Sequence, residues 1–276
     1  MSAADTLLLP AGGLAARRRR ALAVVRRDAY ALRHSGVRVF ELGYWPVVEL
    51  TMWGLVSVYL RGRHLPTAVP MLLGGLLLWQ VFQRAQSEVS MSFLDDVWSR
   101  NLLSVHTAPV SPGEYLAGIV VSGLIRLLVG CSIAAAAAFL LYGFGIFSLG
   151  PALLPFLLVL MGMGWALAFV TVAVILRYGQ DVQVIAWALA YVFQPFAAVF
   201  FPLTVLPAPL RGVAHAVPAS YVFEGMRSVL AGHGVHASAL LAAGALDVVY
   251  LVAALVFFRR TLVTVRAKGS LSRFGS

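Results

Sequence analysis

A helix that crosses a membrane needs about 20 mostly apolar residues, and six stretches of this chain come near or exceed that length. They run from Val39 to Leu60, Thr67 to Ser87, Pro112 to Tyr142, Leu149 to Leu176, Val182 to Pro202 and Ser238 to Phe258. This feature constrains the fold more than any other. A soluble domain of 276 residues has no interior able to bury six such helices. Charged residues make up 12% of the chain, about half the usual share of a soluble domain, and the mean hydropathy is +0.88. In lipid every backbone polar group must be satisfied internally. The expected class is therefore an all-α membrane protein with six transmembrane helices. No internal repeat or second domain is visible, so residues 1–276 read as one transmembrane domain.

Two segments are not expected to span. From Ala15 to Arg38, the residues Leu22, Val25, Ala29 and Leu32 form an apolar stripe, with Arg26, Arg27 and Arg33 largely off it. That pattern predicts an amphipathic helix lying in the membrane interface. From Leu206 to His236, Pro207, Pro209, Pro218 and several glycines interrupt apolar stretches too short to cross. This segment reads as re-entrant half-helices between spans five and six. Residues 1–14 read as a flexible N-terminus, 39–258 as the six-span bundle and 259–276 as a basic tail. Met1 to Arg20 does not have the order of a secretory signal, because its arginines follow a Leu-Leu-Leu-Pro run rather than precede an apolar core.

The charge balance is basic, with 21 Lys+Arg against 11 Asp+Glu. The cations sit between the apolar runs and at the chain ends, which fits control of topology rather than nucleic-acid binding. With both termini in the cytoplasm, 16 positive residues fall inside (among them Arg17 to Arg20, Arg84, Arg100, Arg177 and Lys268) and four outside: Arg61, Arg63, Arg211 and Arg227. That asymmetry predicts cytoplasmic termini. Cys131 is the only cysteine and lies in an apolar run, so it reads as a buried free thiol.

Catalytic signatures are absent. A P-loop ends in Gly-Lys-Ser or Gly-Lys-Thr, but the only lysine, Lys268, follows Ala267. Neither H-E-x-x-H nor G-x-S-x-G occurs, and His233 and His236 have no neighbouring ligands to complete a metal site. Charges within spans are costly and mark function by default. Glu49 in span one and Arg126 in span three both lie roughly 15–20 Å from the cytoplasmic end, and they are expected to pair. Asp247, in the outer part of span six, is a further intramembrane charge.

The loop between spans two and three is the most informative segment. Ser92 to Leu103 mixes Asp95, Asp96, Trp98, Arg100 and Asn101 in a short helical length. Ser111-Pro112-Gly113-Glu114 then supplies an N-cap, a proline at the first helical position and a capping-box acid. The run FLDDVWSRNLLSVHTAPVSPGEYLAG resembles the intracellular loop of type-2 ABC transporter permeases, the membrane-spanning subunits of ATP-binding-cassette exporters. PFAAVFFPLTVLPAPL and VPASYVFEGMR fit the same family, as do the basic N-terminal helix and the six spans, so the likeness covers nearly the whole chain.

The resemblance implies a bacterial inner-membrane permease that forms a translocation pathway and is not catalytic itself. Its partners would be two cytoplasmic ATPase subunits, a second permease copy and membrane lipid, with no nucleic acid. This chain would carry no cofactor; ATP and Mg would bind in the partner ATPase. Asp95, Asp96, Trp98, Arg100 and Asn101 would shape the coupling helix that docks on that ATPase. Tyr221, Glu224 and Arg227 would belong to the outer re-entrant segment closing the pathway, with Glu224 and Arg227 spaced to pair. Phe193, Phe196 and Phe200 share a helical face and are the choice for pathway aromatics; the alternative for these rings is the interfacial aromatic belt. The competing class is a stand-alone secondary transporter or channel, which would place more ionisable groups near mid-membrane or show repeated halves. The substrate stays open: a lipid-linked glycan, a drug-like amphiphile or another hydrophobic metabolite.

Overall fold

The computed structural model describes residues 13–62, 68–98, 111–179, 182 and 184–267. Nine α-helices occur among them and no strand. They are α1 (Leu14–Arg33), α2 (Gly36–Gly62), α3 (Ala68–Trp98), α4 (Pro112–Tyr142), α5 (Leu153–Tyr178), α6 (Val184–Ala197), α7 (Ala208–His215), α8 (Pro218–Leu230) and α9 (Ala237–Ala267). Two 3₁₀ segments, Ile146–Ala152 and Leu203–Val205, precede α5 and α7.

Three helical stretches are long and apolar enough to cross a membrane: Gly113–Tyr142, Ile146–Tyr178 and Ala237–Val265. Their environments differ. Of the most apolar window in each, 67% is buried in the second, against 22% in the first and 11% in the third. So α5 is the central post of the bundle, while α4 and α9 turn most of their apolar surface outward. Glycine makes the central position possible. A Cβ at Gly164 would lie 2.6 Å from Ala85 Cβ and 2.8 Å from the Phe82 carbonyl. Only a residue without a side chain lets α5 and α3 approach this closely. The fully buried Trp79, Phe82, Phe156, Leu160 and Phe223 pack around that contact.

The remaining expected spans have different forms. α2 and α3 are 27 and 31 residues long but are not among these three strongly apolar stretches. α3 does not stop at Ser87. It runs on to Trp98, so residues 92–98 of the expected loop between spans two and three are the last part of the same rod, and the rest of that loop lies outside the described residues. The expected fifth span is shorter than Val182 to Pro202: α6 ends at Ala197 after 14 residues. Pro195 sits in its last turn, and Ala198 adopts a left-handed φ of 54°, which ends the helix. α9 continues past Phe258 to Ala267. Between α6 and α9, the proline-broken segment forms the short helices α7 and α8. Val222, Phe223 and Met226 anchor α8 in the core.

Candidate functional site

At one end of the bundle, α1 grips the two helices that flank residues 99–110. The capping box predicted at α4 is present. Glu114 N donates to Ser111 Oγ at 3.3 Å, and Ser111 N donates to Glu114 Oε2 at 2.9 Å. The same carboxylate takes a second load. Arg20 of α1 donates to it through Nε at 3.0 Å and Nη2 at 2.8 Å, the bidentate geometry that suits a guanidinium to a carboxylate. One turn further on, a Cβ at Gly118 would lie 2.6 Å from Val24 Cβ, so the glycine is the seat for α1. Next, Arg27 Nη2 donates to Asp96 Oδ2 at 2.9 Å, and Tyr115 Oη donates to the same oxygen at 2.6 Å. Thus α1 is bonded to α3 through Arg27 and to α4 through Arg20. We call this arrangement the clasp.

The coupling residues expected from the sequence separate accordingly. Asp96 is 5% exposed and points inward to the clasp, while Asp95 lines a cavity. Trp98 is the last residue of α3. Arg100 and Asn101 lie outside the described residues.

That cavity, about 470 Å³ in volume, lies between α2, α3 and α4, with Tyr191 of α6 on its wall. Glu49 and Arg126 both line it, but they do not pair. Arg126 Nε lies 2.8 Å from Glu88 Oε2, and Arg126 Nη2 donates to Ser92 Oγ and to the Glu88 carbonyl at 3.2 Å. Glu49 instead receives Gln80 Nε2 at 3.4 Å. The reason lies in α3: its polar continuation beyond the expected boundary carries Glu88 and Ser92 alongside Arg126. Glu88 also accepts from Arg84 at 3.4 Å. Arg84 reaches across to α2, where Nη2 donates to the Leu42 carbonyl at 2.9 Å. Pro46 explains that bond. Having no N–H, it leaves the carbonyl four residues earlier without its helical partner, and Arg84 supplies the missing donor.

At the opposite end, Glu224 and Arg227 pair at 3.2 Å as their spacing predicts. Glu224 also accepts from Leu203 N at 2.6 Å, and Arg227 Nη1 reaches the Val199 carbonyl at 3.5 Å. The pair therefore ties α8 to the irregular chain after α6. Tyr221 Oη donates to the His215 carbonyl at 3.0 Å, linking α8 to α7. The three expected pathway aromatics do not share one helical face. Phe193 and Phe196 are on α6, but Phe200 lies beyond its end, stacked on Trp53 with ring centroids 4.3 Å apart. All three are partly buried against the core. Asp247 packs on Gly162 of α5, and its Oδ1 has no hydrogen-bond partner among the described residues.

Sequence reasoning passed over Arg20, Arg27, Tyr115, Arg84 and Glu88 as site residues. The Arg84–Glu88 spacing of one helical turn and the orphan carbonyl implied by Pro46 were available signals. Nothing in the sequence pointed to the Arg20–Glu114 pair, whose members are 94 positions apart. No group of three metal-ligating side chains occurs among the described residues.

These features define a helical membrane protein: apolar helices around a polar cavity, with a charged clasp at one end. The family model for the ABC-2 type transporter matches residues 34–231, and the chain belongs to this family. It is similar to the inner membrane transport permease YadH of Escherichia coli strain K12, with 26% identity over 188 residues that cover 66% of this chain and 72% of that protein. The YadH permease of Shigella flexneri matches to the same extent. The chain is thus a membrane transport permease of the ABC-2 family.

Proposed function

We propose that this chain is the membrane-spanning subunit of an exporter, driven by two separate cytoplasmic ATPase subunits that bind ATP and Mg, and paired with a second permease copy. In this reading the chain crosses the inner membrane six times with both termini in the cytoplasm, and α7 and α8 form the re-entrant segment on the outer side. The positive residues of α1 and of the end of α9 support that orientation. Catalysis is left to the partner, in keeping with the missing P-loop.

The clasp is the observation that carries the coupling role. A helix that holds α3 through Asp96 and α4 through Glu114 makes α1 and those two helix ends one mechanical unit. A push on that unit by an ATPase would move two membrane helices together. The charged cluster Arg84–Glu88–Arg126 is also what a stand-alone secondary transporter would place in the membrane. Family membership favours the ATP-driven reading.

The test is purification of the full chain with a candidate ATPase encoded beside it. A stable complex is expected, whose ATPase activity falls in Arg20→Ala and Glu114→Ala variants that still assemble. A chain that associates with no ATPase refutes the proposal.

A further inference from the structure

The two faces of α1 are occupied differently. Arg20, Val24 and Arg27 face the bundle, with Arg20 on Glu114, Val24 on Gly118 and Arg27 on Asp96. The one acid of the helix, Asp28, accepts from Arg27. Arg19, Arg26 and Arg33 are exposed on the opposite side. Each stands seven residues from the next, close to two turns, so their positions fall nearly on one line at intervals of about 10 Å. None of the three has an acidic partner among the described residues, and no acid of α1 is exposed. Between them stand Leu22, 43% exposed, and Tyr30, 68% exposed.

The direction of α1 places this face. Within two turns α1 meets α4 at Glu114 and Gly118 and then α3 at Asp96. It therefore lies across the ends of those helices rather than along either. Where α3 and α4 cross a bilayer, a helix laid across their ends runs along the bilayer surface. The chain turns at His34 and Ser35, and α2 then opens with Val37, Val39 and Phe40 exposed. Apolar surface thus begins within two turns of Arg33. A layer that is anionic at its surface and apolar just beneath suits this order of groups. A guanidinium meets a phosphate with two parallel N–H donors. In a zwitterionic headgroup the phosphate has an ammonium of its own; in an anionic headgroup it does not. Each arginine near such a surface is worth about fivefold in binding.

We propose that the face of α1 formed by Arg19, Arg26 and Arg33 binds anionic phospholipid headgroups, with Leu22 and Tyr30 at the boundary of the acyl chains. The lipid seats on the membrane surface the same helix whose inner face forms the clasp. The proposal goes beyond the ATP-driven reading.

The test uses the full chain in uncharged maltoside micelles. Phosphatidylglycerol with a fluorescent acyl label is the probe, and phosphatidylcholine with the same label is the zwitterionic control. Saturable binding of phosphatidylglycerol is expected, at least about tenfold tighter than phosphatidylcholine and weaker as salt is raised. The triple change Arg19→Gln, Arg26→Gln and Arg33→Gln leaves the clasp residues untouched. It should bring phosphatidylglycerol down to the phosphatidylcholine level, a loss of about tenfold to a hundredfold, with phosphatidylcholine unchanged. Arg259→Gln, Arg260→Gln and Arg266→Gln remove the same charge from the end of α9 and should cost less than about threefold. Equal binding of the two lipids by the wild-type chain overturns the proposal, as does equal loss in the two triple variants. Displacement of the probe by inorganic phosphate at constant ionic strength also overturns it and assigns the arginines to a free anion. Unchanged phosphatidylglycerol binding in the α1 variant overturns it as well; if a co-purified ATPase is lost at the same time, the face belongs to that partner. The binding measurement contains no ATPase, so its failure leaves the ATP-driven reading intact, and the absence of an ATPase partner leaves the lipid result standing.

Discussion

Converting Asp96 to alanine should loosen α1, α3 and α4 together, and the structure ranks the contributions. The carboxylate is 5% exposed and accepts from Tyr115 Oη at 2.6 Å and Arg27 Nη2 at 2.9 Å. A hydrogen bond to a charged group is worth about 1.5–3 kcal/mol. Tyr115 is only 7% exposed, so water does not replace its bond. The Arg27 side chain is 39% exposed, and solvent reduces such a pair to about 0–1 kcal/mol. Tyr115→Phe should therefore cost about 1.5–3 kcal/mol and Arg27→Gln less than about 1 kcal/mol. Asp96→Ala should cost about 2–4 kcal/mol, because it removes both bonds and strands a buried hydroxyl. The assay is thermal unfolding of the purified full chain and the three variants in one detergent. One kcal/mol shifts the midpoint by about 2–4 °C at this chain length, so the ranking is readable. Adding Arg27→Gln to Asp96→Ala should change little further, because the pair is already broken. If Arg27→Gln costs as much as Tyr115→Phe, the reasoning from exposure is wrong and the arginine pair carries the clasp.

Three further outcomes are expected. Gly164→Ala should destabilise the bundle by about 1–3 kcal/mol, since the new methyl would meet the Phe82 carbonyl at 2.8 Å; Gly244→Ala, with nothing within 4 Å, should be neutral or stabilising by up to about 1 kcal/mol, and the two unfolding midpoints should diverge accordingly. Exchanging charges in Arg20→Glu with Glu114→Arg should recover protection of α1 from limited trypsin digestion that either single change loses; no recovery would show that the pair does not hold α1. Glu88→Gln should lower the yield of folded protein by stranding Arg84 and Arg126, and adding Arg126→Gln should recover part of it; a charge swap between Glu49 and Arg126 should recover none.

Much of the architecture was legible in the sequence because lipid simplifies the problem. Long apolar runs marked α2 through α5 and α9, and Ser111-Pro112-Gly113-Glu114 marked the start of α4 to the residue. Glu224 and Arg227 paired as their helical spacing predicts. Local signals failed where ends depend on neighbours. The extension of α3 to Trp98 could not be read from hydropathy, because Arg84, Glu88 and Ser92 resemble a loop until α2 and α4 supply their partners. The stop of α6 at Ala197 was visible in Pro195 and Pro202 only in outline; the left-handed turn at Ala198 brings Val199 against Gly75, where a Cβ would lie 2.8 Å from its carbonyl.

The sequence by itself determined the solvent, the helical class, the lack of a P-loop and the resemblance to its family. These follow from composition, periodicity and short motifs, which act over a few helical turns. Which charge meets which was decided only by tertiary structure. Glu49 meets α3 at Gln80, whereas Arg126 meets it more than two turns further on, at Glu88 and Ser92. Charges in a low-dielectric interior interact strongly with the partners that side-chain direction allows them to reach. Where α2 and α4 lie along α3 sets which partners come within reach, and no local feature of the chain encodes it.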